Sequence, residues 1–570
     1  MKSIHIYIDR EKLECTEEQS VLEVAIENDI EIPHFCYHED LPIDANCRTC
    51  LVEIEESKEI VTSCTLKATD GLKVQTNSTQ VKKLRDENLE LLLSDHKKYC
   101  KRCSKGHFCK THEIMKRYKI TGTKYRKATI DAPIHKMGNA AEYDPQTCIN
   151  CNKCVEMCEK IGISFLRLKG KGATTHIEFN DNPNCDCIYC GQCTVHCPVT
   201  AISEQSHLEH VEEALKDKNK IVIGQMAPSI RTSIGEEFGL EVGKNLTKQM
   251  YTAMRKLGFN KIFDVNMGAD ITTWVEAKEL VERIKEGGTL PMFTSCCPGW
   301  VKFLEFYYPD MISHLTTARS PQIHSGGAYK TWWAEKEGID PKNIVVVSFM
   351  PCTSKKYEAH HDKLRIDGMY PVDYVLTTRE TGVLLKKNKI DLPNLKPSEV
   401  DKYGEYTGAG AIYGASGGVM ESALRSASHF LTGEDIGPIE FKPVRGMEKV
   451  KKADVKIGDK TIKVAVVATA AYARIVLEQI KKDPSTYDYI EFMACPGGCI
   501  GGGGQPIPST ERIIAKRIEG LYGIDEQKKI RRAHLNPVVQ EFFNDYIDKL
   551  QHKRQEEILH TTYSKKKKFE

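Results

Sequence analysis

The sequence predicts a large α/β catalytic domain of two lobes with a cofactor cleft, preceded by smaller α+β domains built around cysteine clusters. Three observations predict it. From about residue 210 onward, apolar runs that read as buried strands alternate with long helical patterns, at 220–225, 261–265, 290–294, 344–349, 464–468 and 489–493. Three of these runs lead into cysteine loops: Thr294-Ser295-Cys296-Cys297-Pro298-Gly299-Trp300, Met350-Pro351-Cys352-Thr353-Ser354-Lys355-Lys356 and Met493-Ala494-Cys495-Pro496-Gly497-Gly498-Cys499. Sites in open α/β sheets form in the crevice at the carboxyl ends of strands, so these loops are expected to meet there. The third observation is that most of the remaining cysteines sit before residue 200 at metal-ligand spacings.

Length and charge bound the reading. A chain of 570 residues has room for about four domains. Its 81 basic and 79 acidic residues leave a formal charge of +2, which argues against a nucleic-acid partner. No long apolar segment or signal peptide is present, and Ile4-His5-Ile6-Tyr7-Ile8-Asp9 alternates like a strand, so the expected setting is cytoplasmic, with no membrane. In a reducing cytosol 22 cysteines are better used for metal than for disulfides.

Residues 1–80 read as strands near 4–8 and 50–54 with a helix at Val21, Leu22, Ala25 and Ile26. Cys36-x10-Cys47-x2-Cys50, with Cys64 further on, makes a workable cradle for a 2Fe-2S cluster, zinc being the alternative. Cys15 stands outside this pattern and reads as a packed thiol. Residues 81–126 carry a helical run and then His96-x3-Cys100-x2-Cys103-x5-Cys109. One imidazole and three thiolates suit zinc or a 4Fe-4S cluster equally, with His107 and His112 as rival imidazoles.

Residues 127–209 hold an internal repeat, Cys148-x2-Cys151-x2-Cys154-x3-Cys158 and Cys187-x2-Cys190-x2-Cys193-x3-Cys197-Pro198. In this pattern the fourth cysteine of each run serves the other cluster. One 4Fe-4S cluster is therefore expected on Cys148, Cys151, Cys154 and Cys197, and a second on Cys187, Cys190, Cys193 and Cys158. Glu159 replaces the usual proline after Cys158, which alters a turn and leaves the ligand; Cys185 has no role in the register.

Residues 210–505 bring five thiols to the cleft, Cys297, Cys352, Cys495 and Cys499 as a ligand set suited to iron-sulfur or zinc and Cys296 free for chemistry. The run from Gly408 to Gly418, which includes Gly417, lacks the lysine and spacing of a P-loop and reads as close backbone approach to a bulky cofactor. Residues 506–570 are helical and basic, ending Lys565-Lys566-Lys567-Lys568, most simply a solvated tail.

The three cleft loops, in this order, together with Ile500-Gly501-Gly502-Gly503-Gly504-Gln505-Pro506, resemble the active-site signatures of the iron-iron (FeFe) hydrogenases of the large, multi-cluster clostridial type. The N-terminal segment, through Asn46-Cys47-Arg48-Thr49-Cys50 and Leu51-Val52-Glu53, resembles their plant-type-like ferredoxin domain. The His-Cys module resembles one that holds a 4Fe-4S cluster in that family and in the related complex I subunit, and residues 506–570 resemble a fused small subunit. The resemblance implies one 2Fe-2S cluster, three accessory 4Fe-4S clusters and an H-cluster. The H-cluster would be a 4Fe-4S unit on Cys297, Cys352, Cys495 and Cys499, joined through Cys499 to a two-iron subcluster with CO, CN and azadithiolate ligands. Around it are expected Lys355 as cation, Ser229 and Gln322 as donors, Met350 and Met493 as soft packing, and Pro228 and Gly417 at the edge.

Glu276, Glu279 and Arg283 fall on one face of a helix expected over 272–286, which by itself reads as a solvated face. By resemblance it carries a proton relay from Cys296 through Glu276, a hydroxyl at Thr316, Glu279 and Arg283. Many relatives have serine at the hydroxyl position.

The resemblance thus implies an iron hydrogenase that interconverts protons and hydrogen. Its expected partners are ferredoxin or flavodoxin for electrons and maturation proteins for the cofactor, and the expected state is a monomer. Two alternatives are a sensory, low-activity or iron-sulfur-assembly relative, which would be expected to lose Cys296, Lys355 or the glutamates, and the electron-input subunit of an NADH dehydrogenase, which would lack the three cleft loops.

Overall fold

The computed structural model describes residues 2–96, 109–125, 132–435 and 440–570. Cys100, Cys103 and His107 lie outside the described residues. The first unit is a five-stranded sheet of Ser3–Ile8 (β1), Glu11–Thr16 (β2), Leu51–Ile54 (β3), Ile60–Thr62 (β4) and Lys73–Gln75 (β5), in the order β2-β1-β5-β3-β4. The alternation in β1 turns Ile4, Ile6 and Ile8 onto the helix Val21–Glu27, which opens with a Ser20/Glu23 capping box. Cys15 lies inside this core, as a packed thiol should.

Helices Thr79–Asp95 and Lys110–Arg117 lead to a small domain made of His135–Met137 (β6), Ala141–Tyr143 (β7), Leu166–Lys169 (β8), His176–Phe179 (β9) and Ile202–Glu204 (β10). Its strands form a sheet β10-β7-β6 and a separate hairpin β8-β9. The internal repeat is visible in the backbone: Asn152 and Gly191 hold equivalent positions, both left-handed at φ 68° and 70°, and each opens a helix, Lys153–Ile161 and Gln192–His196.

The large domain contains Ile221–Met226 (β11), Lys261–Asp264 (β12), Met292–Phe293 (β13), Ile344–Met350 (β14), Tyr374–Thr377 (β15), Val450–Ile457 (β16), Lys460–Ala468 (β17) and Tyr489–Met493 (β18). One sheet, β12-β11-β14-β15, is wholly parallel; the other, β13-β18-β17-β16, is parallel except for the β16-β17 hairpin. Two strands were not expected. β15 is only four residues long, and β16 mixes lysines with inward Val455 and Ile457, which hides its alternation. The helix expected over 272–286 starts seven residues earlier, at Val265, because Asp264 caps it by accepting from the Asn266 N–H and its first turns are buried on all sides.

The C-terminal segment adds helices Glu511–Gln527, Pro537–Asp545 and His552–Leu559. The tail beyond them is docked, contrary to the solvated tail expected from its lysines. Lys568 Nζ donates to the carbonyls of Asn180 and Asn182 (2.7 and 2.8 Å), and the Phe569 N–H to Asp186 Oδ2 (3.1 Å). The Glu570 carbonyl accepts from Lys302 Nζ and the Tyr357 hydroxyl. Among the described residues no helix is long and apolar enough to cross a membrane.

Candidate functional site

The cleft lies where parallel strands of both sheets end. β13 delivers Cys296 and Cys297, the latter as N-cap of the helix Pro298–Tyr307; β14 delivers Cys352; β18 delivers Cys495 and Cys499; and β11 ends in Met226-Ala227-Pro228-Ser229. A cavity of about 470 Å³ between these ends is lined by Pro228, Ser229, Cys296, Gln322, Met350, Cys352, Lys355, Tyr413, Gly414 and Cys499. Cys297 and Cys495 belong to the same thiol group. Burial and then Cys297 push the Cys352 thiol up to about 11; burial first raises Cys495 and Cys499 as well, followed by Cys190, Cys352 and Cys297 for Cys495 and by Cys297 and Cys352 for Cys499. Four thiols from three loops, Cys499 half-buried and the other three buried, can thus hold one iron-sulfur unit.

The polar wall is more committed than the sequence suggested. Lys355 Nζ already donates to the Cys296 carbonyl (3.0 Å), Ser320 Oγ (2.9 Å) and Glu358 Oε2 (2.8 Å). The Gln322 amide donates to the Lys355 carbonyl and to Glu358 Oε2, so the atom it leaves without a partner is its oxygen, not a donor. Ser229 Oγ is buried without a hydrogen-bond partner at the cavity wall and suits an anionic acceptor. Met350 lines the cavity; Met493 is buried at the end of β18, outside the residues that line it.

Gly417 is a correction. Its amide donates to Glu491 Oε1, and an added Cβ would stand 1.9 Å from the Val444 carbonyl, so it packs against protein. Gly414 is the glycine that meets the cavity, where a Cβ would come within 2.4 Å of Ser229 Oγ.

The helix Val265–Glu286 presents the acidic residues inward rather than to solvent. Glu276 is fully buried; Oε1 accepts from the Tyr489 hydroxyl (2.6 Å), Oε2 has no partner, and burial raises its pKa to about 8. The Cys296 thiol is pushed well up, first by burial and next by Glu276. Glu279 Oε2 accepts from the Thr316 hydroxyl (2.6 Å), the Thr317 N–H (3.0 Å) and the Thr317 hydroxyl (3.1 Å), while Oε1 accepts from Arg283 (2.6 Å). Tyr489, Thr317 and Glu358 were not anticipated; Tyr489 and Thr317 reach the relay glutamates through contacts between distant parts of the chain, whereas Glu358 lies only three residues from Lys355 on one helix, an i,i+3 spacing that the sequence did carry.

The eight thiols of the internal repeat line two cavities. A cavity of about 310 Å³ is lined by Cys148, Cys151, Cys154 and Cys197, and another of about 360 Å³ by Cys187, Cys190, Cys193 and Cys158, reproducing the exchange of fourth cysteines between runs. Four soft thiols in apolar walls fit a polynuclear iron-sulfur core. The second cavity abuts the cleft. Thr353 and Ser354 donate to the carbonyls of Tyr189 and Ile188, and Gln192 and Thr194 to those of Gly501 and Gly503.

Nearer the N-terminus, His96 is buried and its Nδ1 lies 3.0 Å from the Thr147 carbonyl. A carbonyl only accepts, so Nδ1 carries the hydrogen. Cys109 Sγ lies 3.8 Å from the Val199 carbonyl. In the first domain Cys36 and Cys47 stand 3.3 Å apart, and Cys50 pairs with Cys64.

Comparison with known proteins agrees with this geometry. Residues 220–503 match the iron only hydrogenase large subunit, C-terminal domain; residues 1–79 match a 2Fe-2S iron-sulfur cluster binding domain; and residues 511–566 match the iron hydrogenase small subunit. Iron hydrogenase 1 of Clostridium pasteurianum is 39% identical over 98% of this chain and 100% of its own. The NADP-reducing hydrogenase subunit HndD of Solidesulfovibrio fructosivorans is 38% identical over the whole of both chains. A solved FeFe-hydrogenase, HydA1 of Chlamydomonas reinhardtii, aligns with a TM-score of 0.57 and 36% identity, covering 63% of this chain and 99% of its own.

Proposed function

The chain belongs to the iron-only hydrogenases, and from that premise we propose that it interconverts 2H⁺ + 2e⁻ and H2 in the cleft with ferredoxin as electron partner. Cys297, Cys352, Cys495 and Cys499 would hold the 4Fe-4S part of the H-cluster, which when bound would supply the redox chemistry that joins two protons with two electrons. Cys36, Cys47, Cys50 and Cys64 would hold one 2Fe-2S cluster and the remaining sets, His96 included, three 4Fe-4S clusters, which would supply one-electron redox chemistry between the electron partner and the cleft. The observation that carries the reading is the meeting of three cysteine loops at the cleft, where Cys352 and Cys499 line the cavity together with Cys296, whose thiol is raised by burial and then by buried Glu276.

The chain's own residues handle the protons. Cys296 gives and takes a proton at Sγ, Glu276 holds one at the carboxyl that burial keeps neutral near pH 7, and Thr316 links onward to Glu279. Arg283 clamps Glu279 and is itself held by the carbonyls of Thr289, His314 and Leu315. Ser229 and Lys355 orient anionic ligands, and Pro228 and Met350 keep water out. A separate observation favours a second electron partner: the relative HndD, alike over its whole length, is a subunit of an NADP-reducing hydrogenase.

The test is hydrogen measured by gas chromatography from protein matured with its assembly factors. Reduced viologen and reduced ferredoxin should both drive evolution, and NADPH alone should not. No hydrogen with viologen would overturn the hydrogenase reading; hydrogen with viologen but not ferredoxin would overturn the partner.

A further inference from the structure

Glu279 has to exchange protons with water, and Arg283 cannot serve as the carrier. A guanidinium stays protonated in proteins, and this one spends its N–H groups on Glu279 and three carbonyls. It fixes the carboxylate and closes that side.

The other side is open. The Thr317 hydroxyl donates to Glu279 Oε2 at 3.1 Å, and its oxygen lies 2.8 Å from Nδ1 of His560, a residue of the C-terminal segment. With the hydroxyl hydrogen committed to Glu279, Nδ1–H donates to Thr317, so both hydrogen bonds point the same way, from imidazole to carboxylate. The far end of the ring is wetter than the relay it serves. The His560 side chain is 24% exposed against 14% for Glu279 and 13% for Arg283, and Nε2 stands 4.0 Å from Glu556 Oε1 at the surface.

The placement is built into the backbone. His560 pairs with Ala318 in an antiparallel bridge, the Thr561 N–H donates to the Thr317 carbonyl (2.8 Å), and Arg319 Nε donates to the His560 carbonyl (2.8 Å). The C-terminal segment is thus pinned along the loop that carries Thr316 and Thr317.

We propose that the small-subunit-like segment supplies His560 as the solvent-side residue of the proton relay, exchanging protons with Glu279 through the Thr317 hydroxyl. For each inward transfer, water protonates Nε2, Nδ1–H moves to the Thr317 oxygen, and the Thr317 hydrogen moves to Glu279. One proton enters and one arrives, and the ring regains its tautomer by exchange with water. Imidazole suits this post because it accepts and donates near neutral pH. The charged and titratable groups around it are Glu556 on its own helix, Glu279 and Arg283 across Thr317, and Arg319 and His324 behind it. The inference rests on Glu279 being part of the relay.

The matured full-length protein is compared with its His560→Ala, Thr317→Val and Glu279→Gln variants. Infrared bands of CO and CN report cofactor loading; hydrogen evolution, its pH profile and the solvent deuterium effect report proton delivery. Expected for His560→Ala are full bands, a loss of at least about tenfold in rate, a larger deuterium effect and recovery on adding imidazole. Thr317→Val should lose similarly without recovery. The inference is overturned if His560→Ala keeps wild-type rate, pH profile and deuterium effect, if its loss is accompanied by lost bands or resists imidazole, or if Thr317→Val is unaffected. Glu279→Gln separates the two readings: if it too retains full turnover, the relay through Glu279 fails and this inference with it. If it alone loses turnover, only the His560 route fails.

Discussion

Cys296 and Cys297 are neighbours in sequence, yet Cys297 caps a helix within the thiol group while Cys296 lines the cavity and senses Glu276. Cys297→Ala should therefore remove one anchor and abolish the CO and CN infrared bands. Cys296→Ala should keep the bands and lose turnover by a factor of about 100 or more, the usual contribution of a placed acid or base. Cys296→Asp should retain part of the activity because a carboxyl can still relay. Loss of the bands in Cys296→Ala would contradict the assignment.

Glu276 makes a separate prediction. Its pKa is raised from 4.5 to about 8, by burial first. Between those values the folded chain holds a proton that the unfolded chain releases, so this group's contribution is full below about 4.5 and falls as pH rises, by roughly 1.4 kcal/mol per unit, until about 8. Glu276→Gln, neutral throughout, should therefore gain thermal stability relative to wild type between pH 5 and pH 8 in a melting series; a constant difference would show that the carboxyl is already ionised. At this scale the cysteines were legible because ligand spacing is written locally. Tyr489, Thr317 and His560 were not, because each meets its partner only after folding brings distant segments together.

At the scale of elements, β-branched runs announced β11 and β14 and a mixed aromatic and apolar run announced β18, and glycine showed where loops touch. Gly191, in the second cysteine run, and Gly503, after Cys499, pack backbone to backbone: a Cβ on Gly503 would stand 2.3 Å from the Gly191 carbonyl carbon, and one on Gly191 2.3 Å from Thr353 Oγ1. Neither backbone can rotate aside, so Gly503→Val should wedge the second accessory cavity from the cleft and slow ferredoxin-driven evolution far more than cofactor loading. Gly523→Ala meets nothing within 4 Å on its helix and should be neutral or stabilising by up to about 1 kcal/mol. Equal loss in the two variants would refute the wedge. The long relay helix was only half legible, because a helix buried all round, with Asn266, Asp270, Thr272 and Thr273 inside, lacks the one-sided apolar stripe that periodicity detects.

Over the whole molecule, the N-terminal thiol sets, the cleft and the C-terminal segment form one sequence of contacts, with the last residues closing onto Asp186, Lys302 and Tyr357 beside the second accessory run. The composition of the tail suggested solvent; carbonyls of Asn180 and Asn182 waiting for an ammonium group decided otherwise. The proposed set of one 2Fe-2S cluster, three 4Fe-4S clusters and a six-iron centre predicts about 20 iron atoms per matured chain, which metal analysis would check. The central claim is that the cleft holds a CO- and CN-ligated iron centre that turns over hydrogen, and infrared spectroscopy of the matured full-length protein tests it most directly. The account predicts CO and CN bands that depend on maturation and shift when hydrogen is admitted; a protein with its accessory clusters filled but without those bands would contradict it.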